Sequence, residues 1–161
     1  PLLVGIAERH PNVTLLAAGG MSSGRAVAAA LVAGADGAWL GTAFLATPEA
    51  IEVDDGYRAA IIASNGEDTV FTRAYDIASG APWPSAIGAR VRRDAFTEDW
   101  AEREADLRQR VDSVTPPGPP IYMGQSADSV DGVRPAAVVV HQMSSEAERV
   151  LIERPIALVS R

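Results

Sequence analysis

The sequence predicts an α/β fold that begins with a parallel βαβ unit. Three observations predict it: an apolar run at 13–18 (VTLLAA) closed by Gly19-Gly20, an alanine-rich stretch from Arg25 to Ala33 closed by Gly34, and a second short apolar run at 37–41 (GAWLG). A short run that is apolar on both faces fits a buried parallel strand. A serine-led, alanine-rich stretch fits a helix, with Ser22 or Ser23 as its cap, and glycine is a common stop. Strand, helix and strand joined by short loops form a crossover of right-handed sense.

The elements that follow are less regular. Pro48 and Glu49 open a second expected helix that reaches about Ser64. Residues 69–75 (TVFTRAY) read as extended, and residues 79–90, with Pro82, Trp83 and Pro84, discourage regular structure. From Phe96 to Val111 the spacing predicts one helix, with Phe96, Trp100, Leu107 and Val111 on a stripe. On its wet side Glu104–Arg108 and Asp106–Arg110 are spaced as ion pairs. TPPGPP at 115–120 is a stiff connector. YMGQSAD then reads as a loop, and Arg134 to Ile152 as a final amphipathic helix.

Composition narrows the function. With 161 residues, 47% of them hydrophobic and 22% charged, the chain belongs to the globular class and can build one core. No apolar run is long enough to span a membrane. A net charge of −7 argues against general attraction to nucleic acid. Without cysteine there is no thiol nucleophile or thiolate metal site, and the composition fits a cytoplasmic protein. Its two histidines, His10 and His141, form no spaced metal motif, so no metal is expected.

Six of the 14 glycines fall between Leu15 and Leu45. A glycine pair directly after a parallel strand and before a helix makes an anion site, because bare backbone can approach a phosphate and amide N–H groups can point at it. Gly19 and Gly20 stand there, and Gly41-Thr42 end the second strand in the same way. Adjacent strand ends lie about 5 Å apart, so the two loops can share one phosphate, with the Thr42 hydroxyl as an added donor. The spacing is neither a Walker loop nor GxGxxG. Gly34 and Gly37 are assigned to turns.

The stretch AAGGMSSGRAVAAALVAGADGAWLGTAFLATPE closely resembles the nitronate monooxygenase family, and the resemblance continues through DTVFTRAYD at 68–76, GARVRRDAF at 88–96 and GQSA at 124–127. It implies the C-terminal portion of an FMN-binding (β/α)8 TIM barrel with additional C-terminal helices. The segments are then 1–66, the last two βα units with the phosphate loops; 67–114, an extended segment and helix; and 115–161, the proline-rich connector and final helix. The resemblance implies FMN as cofactor, with Gly19, Gly20, Trp39, Leu40, Gly41 and Thr42 lining its phosphate site and Gln125 near the flavin. Trp39 and Leu40 stand where many members carry Gln-Met, so their backbone rather than their side chains is expected to contribute. The substrates implied are an alkyl nitronate and dioxygen. The family's active-site histidine has no counterpart, so the chain is expected to be part of a longer enzyme and inactive alone. A flavin-dependent enoyl-acyl-carrier-protein reductase and a non-catalytic phosphate-binding module are the alternatives.

The remaining candidates carry plainer readings. Glu49, Glu52, Asp54 and Asp55 form an acidic cluster suited to helix starts. Arg90, Arg92 and Arg93 fit a solvated face. Trp83 and Trp100 fit either a pocket wall or core packing. Ser64-Asn65-Gly66 reads as a turn.

Overall fold

The computed structural model describes residues 2–159, with side chains through residue 156. The expected segments 1–66 and 115–161 therefore reach outside the described residues at position 1 and at 160–161.

Helix α1 (Leu2–Arg9) leads into strand β1 (Leu16–Ala18), helix α2 (Gly24–Val32) and strand β2 (Gly37–Trp39). The strands pair in parallel, from Leu16 with Gly37 to Ala18 with Trp39, so the expected βαβ unit is present. Asp36 ties the strand starts together: its carboxylate accepts the Leu15 N–H at 2.8 Å, and its own N–H donates to the Leu15 carbonyl at 2.8 Å. Ser23 caps α2, its hydroxyl accepting the Ala26 N–H at 3.3 Å. The strands are not buried as expected. Leu16 is 52% exposed and Trp39 68% exposed, because this sheet has two strands only and no described residue covers these side chains.

The next stretch departs from the single helix expected from Pro48. A short helix α3 (Thr42–Leu45) is followed by turns, and helix α4 (Asp55–Ile62) begins only after Asp54, whose carboxylate accepts the Tyr57 N–H at 2.7 Å. Arg58 laces the intervening loop by donating to the carbonyls of Thr47 at 3.2 Å and Ala50 at 2.9 Å. Those carbonyls are satisfied by a guanidinium rather than by a helical ladder.

The middle of the chain forms a second sheet that the sequence reading missed in part. Strand β3 (Thr69–Thr72) is shorter than the expected 69–75 run, helix α5 (Ala74–Ser79) follows it, and strand β4 (Ala89–Arg92) starts at the end of the 79–90 stretch expected to be irregular and runs two residues past it. β3 and β4 pair antiparallel, Thr69 with Arg92 through Thr72 with Ala89. The expected helix over 96–111 is broken into α6 (Ala95–Trp100) and α7 (Glu104–Gln109), with a 3-10 turn at Val111–Ser113. Packing explains the break. An unbroken helix would set Phe96 and Leu107 about 16 Å apart along its axis, whereas both belong to one core with Ala74, Tyr75, Ile77 and Val91. The expected Glu104–Arg108 and Asp106–Arg110 pairs give way to Arg73–Glu104 at 3.6 Å and Arg103–Asp106 at 3.2 Å.

After the connector, Tyr122 bridges back to Val91, and Gln125–Ser129 forms a 3-10 turn. Helix α8 (Ala136–Val159) then runs beyond the expected Ile152, through Pro155. It packs along α2, with Gly24 in close contact: a Cβ there would fall 2.5 Å from the Glu146 Cβ and 2.7 Å from the Ala147 nitrogen, as well as onto the Met143 carbonyl oxygen. A second core of Ala43, Ala46, Ile61, Met123, Ala127 and Val130 joins α3, α4 and the 3-10 turn. No described helix is long and apolar enough to cross a membrane.

Candidate functional site

The parallel register sets Gly19-Gly20 and Leu40-Gly41 side by side, because each pair directly follows one of the paired residues Ala18 and Trp39. Gly19 and Gly20 hold φ of +93° and +67°, a region L side chains rarely enter. A Cβ built on Gly19, Gly20 or Gly41 meets nothing within 4 Å. These glycines therefore serve no close packing inside the described chain; they bare the backbone to open space. Gly20 and Gly41 also donate their N–H groups to no acceptor among the described residues. Two free amides on exposed glycines of adjacent strand ends fit a phosphate-sized anion.

Thr42 is buried, at 8% exposure. Its hydroxyl oxygen accepts the Gly124 N–H at 2.9 Å, which leaves the hydroxyl proton able to donate. This bond brings the loop of Gln125 to the end of β2. The same loop is held from behind, where the Tyr57 hydroxyl donates to the Tyr122 carbonyl at 2.8 Å. Burial pushes the Tyr57 phenol above its ordinary range, so it remains a donor. Gln125 itself is exposed. Gly19, Gly20, Leu40, Gly41, Thr42 and Gln125 are thus gathered at one end of the parallel pair. Trp39 lies one residue back, with its exposed side chain on the strand.

A helix that follows a glycine loop can also aim its first N–H groups at an anion, but two of those in the first turn of α2 are already used. The Gly24 N–H donates to the Glu146 carboxylate at 2.8 Å and the Ala26 N–H to Ser23. Glu146, reaching from α8 and paired with Arg25 at 3.3 Å, is the anion at that helix terminus. Nothing in the sequence marks it, since a glutamate on a helix surface is ordinary. Ser22 sits beside this point with its hydroxyl oxygen buried and unpartnered among the described residues.

The other candidates resolve into structural roles. Glu49 accepts the Ala136 N–H at the start of α8 through both carboxylate oxygens, at 3.0 and 3.1 Å. Asp54 caps α4, and Asp55 pairs with Arg58 at 3.1 Å. Arg90 donates to the Thr69 hydroxyl at 3.2 Å and Arg92 faces Asp68 at 3.9 Å, both on the second sheet. Trp83 is 58% exposed in its loop, whereas Trp100 packs on the second-sheet core with the Arg103 guanidinium 4.9 Å from its ring centre. His10 and His141 are exposed, the first after α1 and the second on α8.

A parallel βαβ unit with an open glycine loop at each strand end defines the class: an α/β protein built on a parallel strand pair. Comparison with known proteins narrows it. The chain matches the family described as nitronate monooxygenase over residues 2–144, and it belongs to that family. It is 32% identical to a nitronate monooxygenase, npaC, of Metarhizium robertsii over 92% of this chain and 45% of that one. Among solved structures it resembles a nitroalkane oxidase of Streptomyces ansochromogenes, with a TM-score of 0.69 and 28% identity over 98% of this chain and 44% of that one. It also resembles FabK of Thermotoga maritima, with a TM-score of 0.76 and 25% identity over 96% of this chain and 50% of that one. The chain therefore spans about half the length of the relatives it matches. The α/β class expected from the sequence holds, with β1–α2–β2 as a portion of a barrel fold.

Proposed function

We propose that this chain supplies the FMN phosphate grip of an oxidoreductase that oxidises alkyl nitronates with dioxygen. The carrying observation is the pair of amides at Gly20 and Gly41, without acceptors among the described residues and on exposed glycines of adjacent strand ends. Gly19 and Gly20 form one wall by their left-handed turn. Gly41 and Thr42 form the other; the Thr42 hydroxyl holds Gly124, and its free proton would be donated to a bound phosphate. Leu40 and Trp39 would contribute through backbone, and Gln125 would stand beside the flavin. FMN, when bound, supplies the two-electron redox chemistry of the reaction. The residues of this chain bind and orient; proton abstraction falls to residues of the whole protein outside it. The lack of cysteine supports a cytoplasmic setting.

The test is FMN titration by flavin fluorescence on the whole protein and its Gly20→Val and Thr42→Ala variants. Gly20→Val places a β-branched residue at positive φ and is expected to abolish binding. Thr42→Ala strands the Gly124 N–H and is expected to weaken binding by about tenfold. Affinity indifferent to both changes would remove the phosphate grip. NAD(P)H consumption with an enoyl thioester, and no oxygen uptake with a nitronate, would replace the activity by that of an enoyl reductase.

A further inference from the structure

The turn after α4 reads as a simple reversal in sequence, yet its apex lies against the Gln125 loop. Gly66 is buried and holds φ of +78°. A Cβ built there would fall onto the Gln125 carbonyl oxygen and 3.2 Å from its carbon, far inside any real Cβ contact with the oxygen. The obstructing atoms are backbone, so they cannot swing aside as a side chain would. The turn is also stiff. The Ser64 hydroxyl bonds to the Asp68 carboxylate and accepts the Gly66 N–H at 3.1 Å. The Thr69 hydroxyl donates to the Gly66 carbonyl at 3.0 Å, and the Asn65 side chain accepts the N–H groups of Glu67 and Asp68 at 3.0 and 3.1 Å. On the other side of the same loop, Thr42 holds Gly124 at 2.9 Å.

We infer that Gly66 is a positioning residue: its bonded turn and Thr42 clamp the backbone at 124–125 and so set where Gln125 stands relative to the phosphate loops. The inference rests on the flavin reading for its functional consequence but not for its structural one. A buttress without a side chain is what lets the loop come this close. The clamp joins the first part of the chain to the segment after the connector, so it links two regions that the sequence separates widely.

Gly80 provides the control, because it too holds positive φ, +69°, but a Cβ there meets nothing within 4 Å. Hydrogen exchange on the flavin-free whole protein comes first. Gly66→Ala is expected to speed exchange of the amides at 124–129, and Gly80→Ala to leave them unchanged. Ser64→Ala loosens the turn without adding bulk and is expected to give the same sign, which covers the case in which Gly66→Ala does not fold. FMN titration follows. Gly66→Ala and Gln125→Ala are each expected to weaken binding by about tenfold, comparable to losing one hydrogen bond to a charged group. Because they act through one loop, the double variant is expected to be no weaker than either single one. Unchanged exchange at 124–129 in both turn variants, or fully additive losses in the titration, would overturn the inference. Accelerated exchange with no FMN binding by the unmodified protein would support the clamp and overturn the flavin reading.

Discussion

The parallel pair β1–β2 and the antiparallel pair β3–β4 have two strands each, but they are protected differently. In the antiparallel region Val91, Thr69 and Thr72 are buried, at 1%, 4% and 4% exposure, under a core that α5, α6 and α7 close over them. In the parallel region Leu16 and Trp39 stand in solvent while α2 and α8 pack behind. The more apolar strands are the more exposed ones. Hydrophobicity in a strand records what the strand is suited to touch: the antiparallel sheet has one face covered and Phe71 exposed on the other, whereas Leu16 and Trp39 of the parallel pair are both exposed.

The largest expected effect lies in the closed region. Leu107 is fully buried, and Leu107→Ala is expected to cost about 3 kcal/mol of stability in denaturant unfolding. Next comes the α2–α8 contact. Gly24→Ala drives a methyl into backbone atoms of α8 and is expected to cost about 2 kcal/mol. If its cost were near zero, the two helices would not be as close as described. A smaller effect separates the regions by pH. Burial first, then its hydrogen bond to Asp94 at 2.5 Å and the charge on that carboxylate, push the Tyr75 phenol well above its usual range. The folded state therefore holds that proton more tightly than the unfolded state. The resulting stability is complete below about pH 10, the ordinary tyrosine value, and is lost as pH rises beyond it. Tyr75→Phe is expected to flatten the alkaline fall in unfolding midpoint. The smallest effect belongs to the open strand: Leu16→Ala is expected to change stability by less than about 0.5 kcal/mol. A loss as large as that of Leu107→Ala would mean that this face is covered in solution.

What was legible in the sequence follows the same division. The βαβ unit was readable because its signals are local: Gly19-Gly20, a serine cap and Gly34 lie within a few residues of what they control. Strand β4 was missed because ARVR follows a proline-rich loop and alternates charge with short apolar residues, so it is defined by its partner rather than by itself. The break between α6 and α7 was invisible because the 3.6-residue stripe continues across it; the demand that Phe96 and Leu107 meet one short helix is tertiary. In the candidate site, the strand-end places of Gly20, Gly41 and Thr42 were legible from position alone. Glu146 and Gly66 were not, because their partners lie far along the chain and neither residue type is unusual where it stands.

Helix α8 is pinned at two heights by carboxylates from opposite sides. Glu49 holds its start at Ala136, and its own Glu146 reaches across to Gly24. Between those pins the helix acts as a ruler. A single inserted residue would turn everything beyond it by about 100° and lift it by about 1.5 Å, carrying Glu146 off the α2 terminus while leaving Ala136 seated. Most outward-facing residues in that interval are free to vary in kind, but their number is fixed, so length is the property of this segment that tolerates no drift.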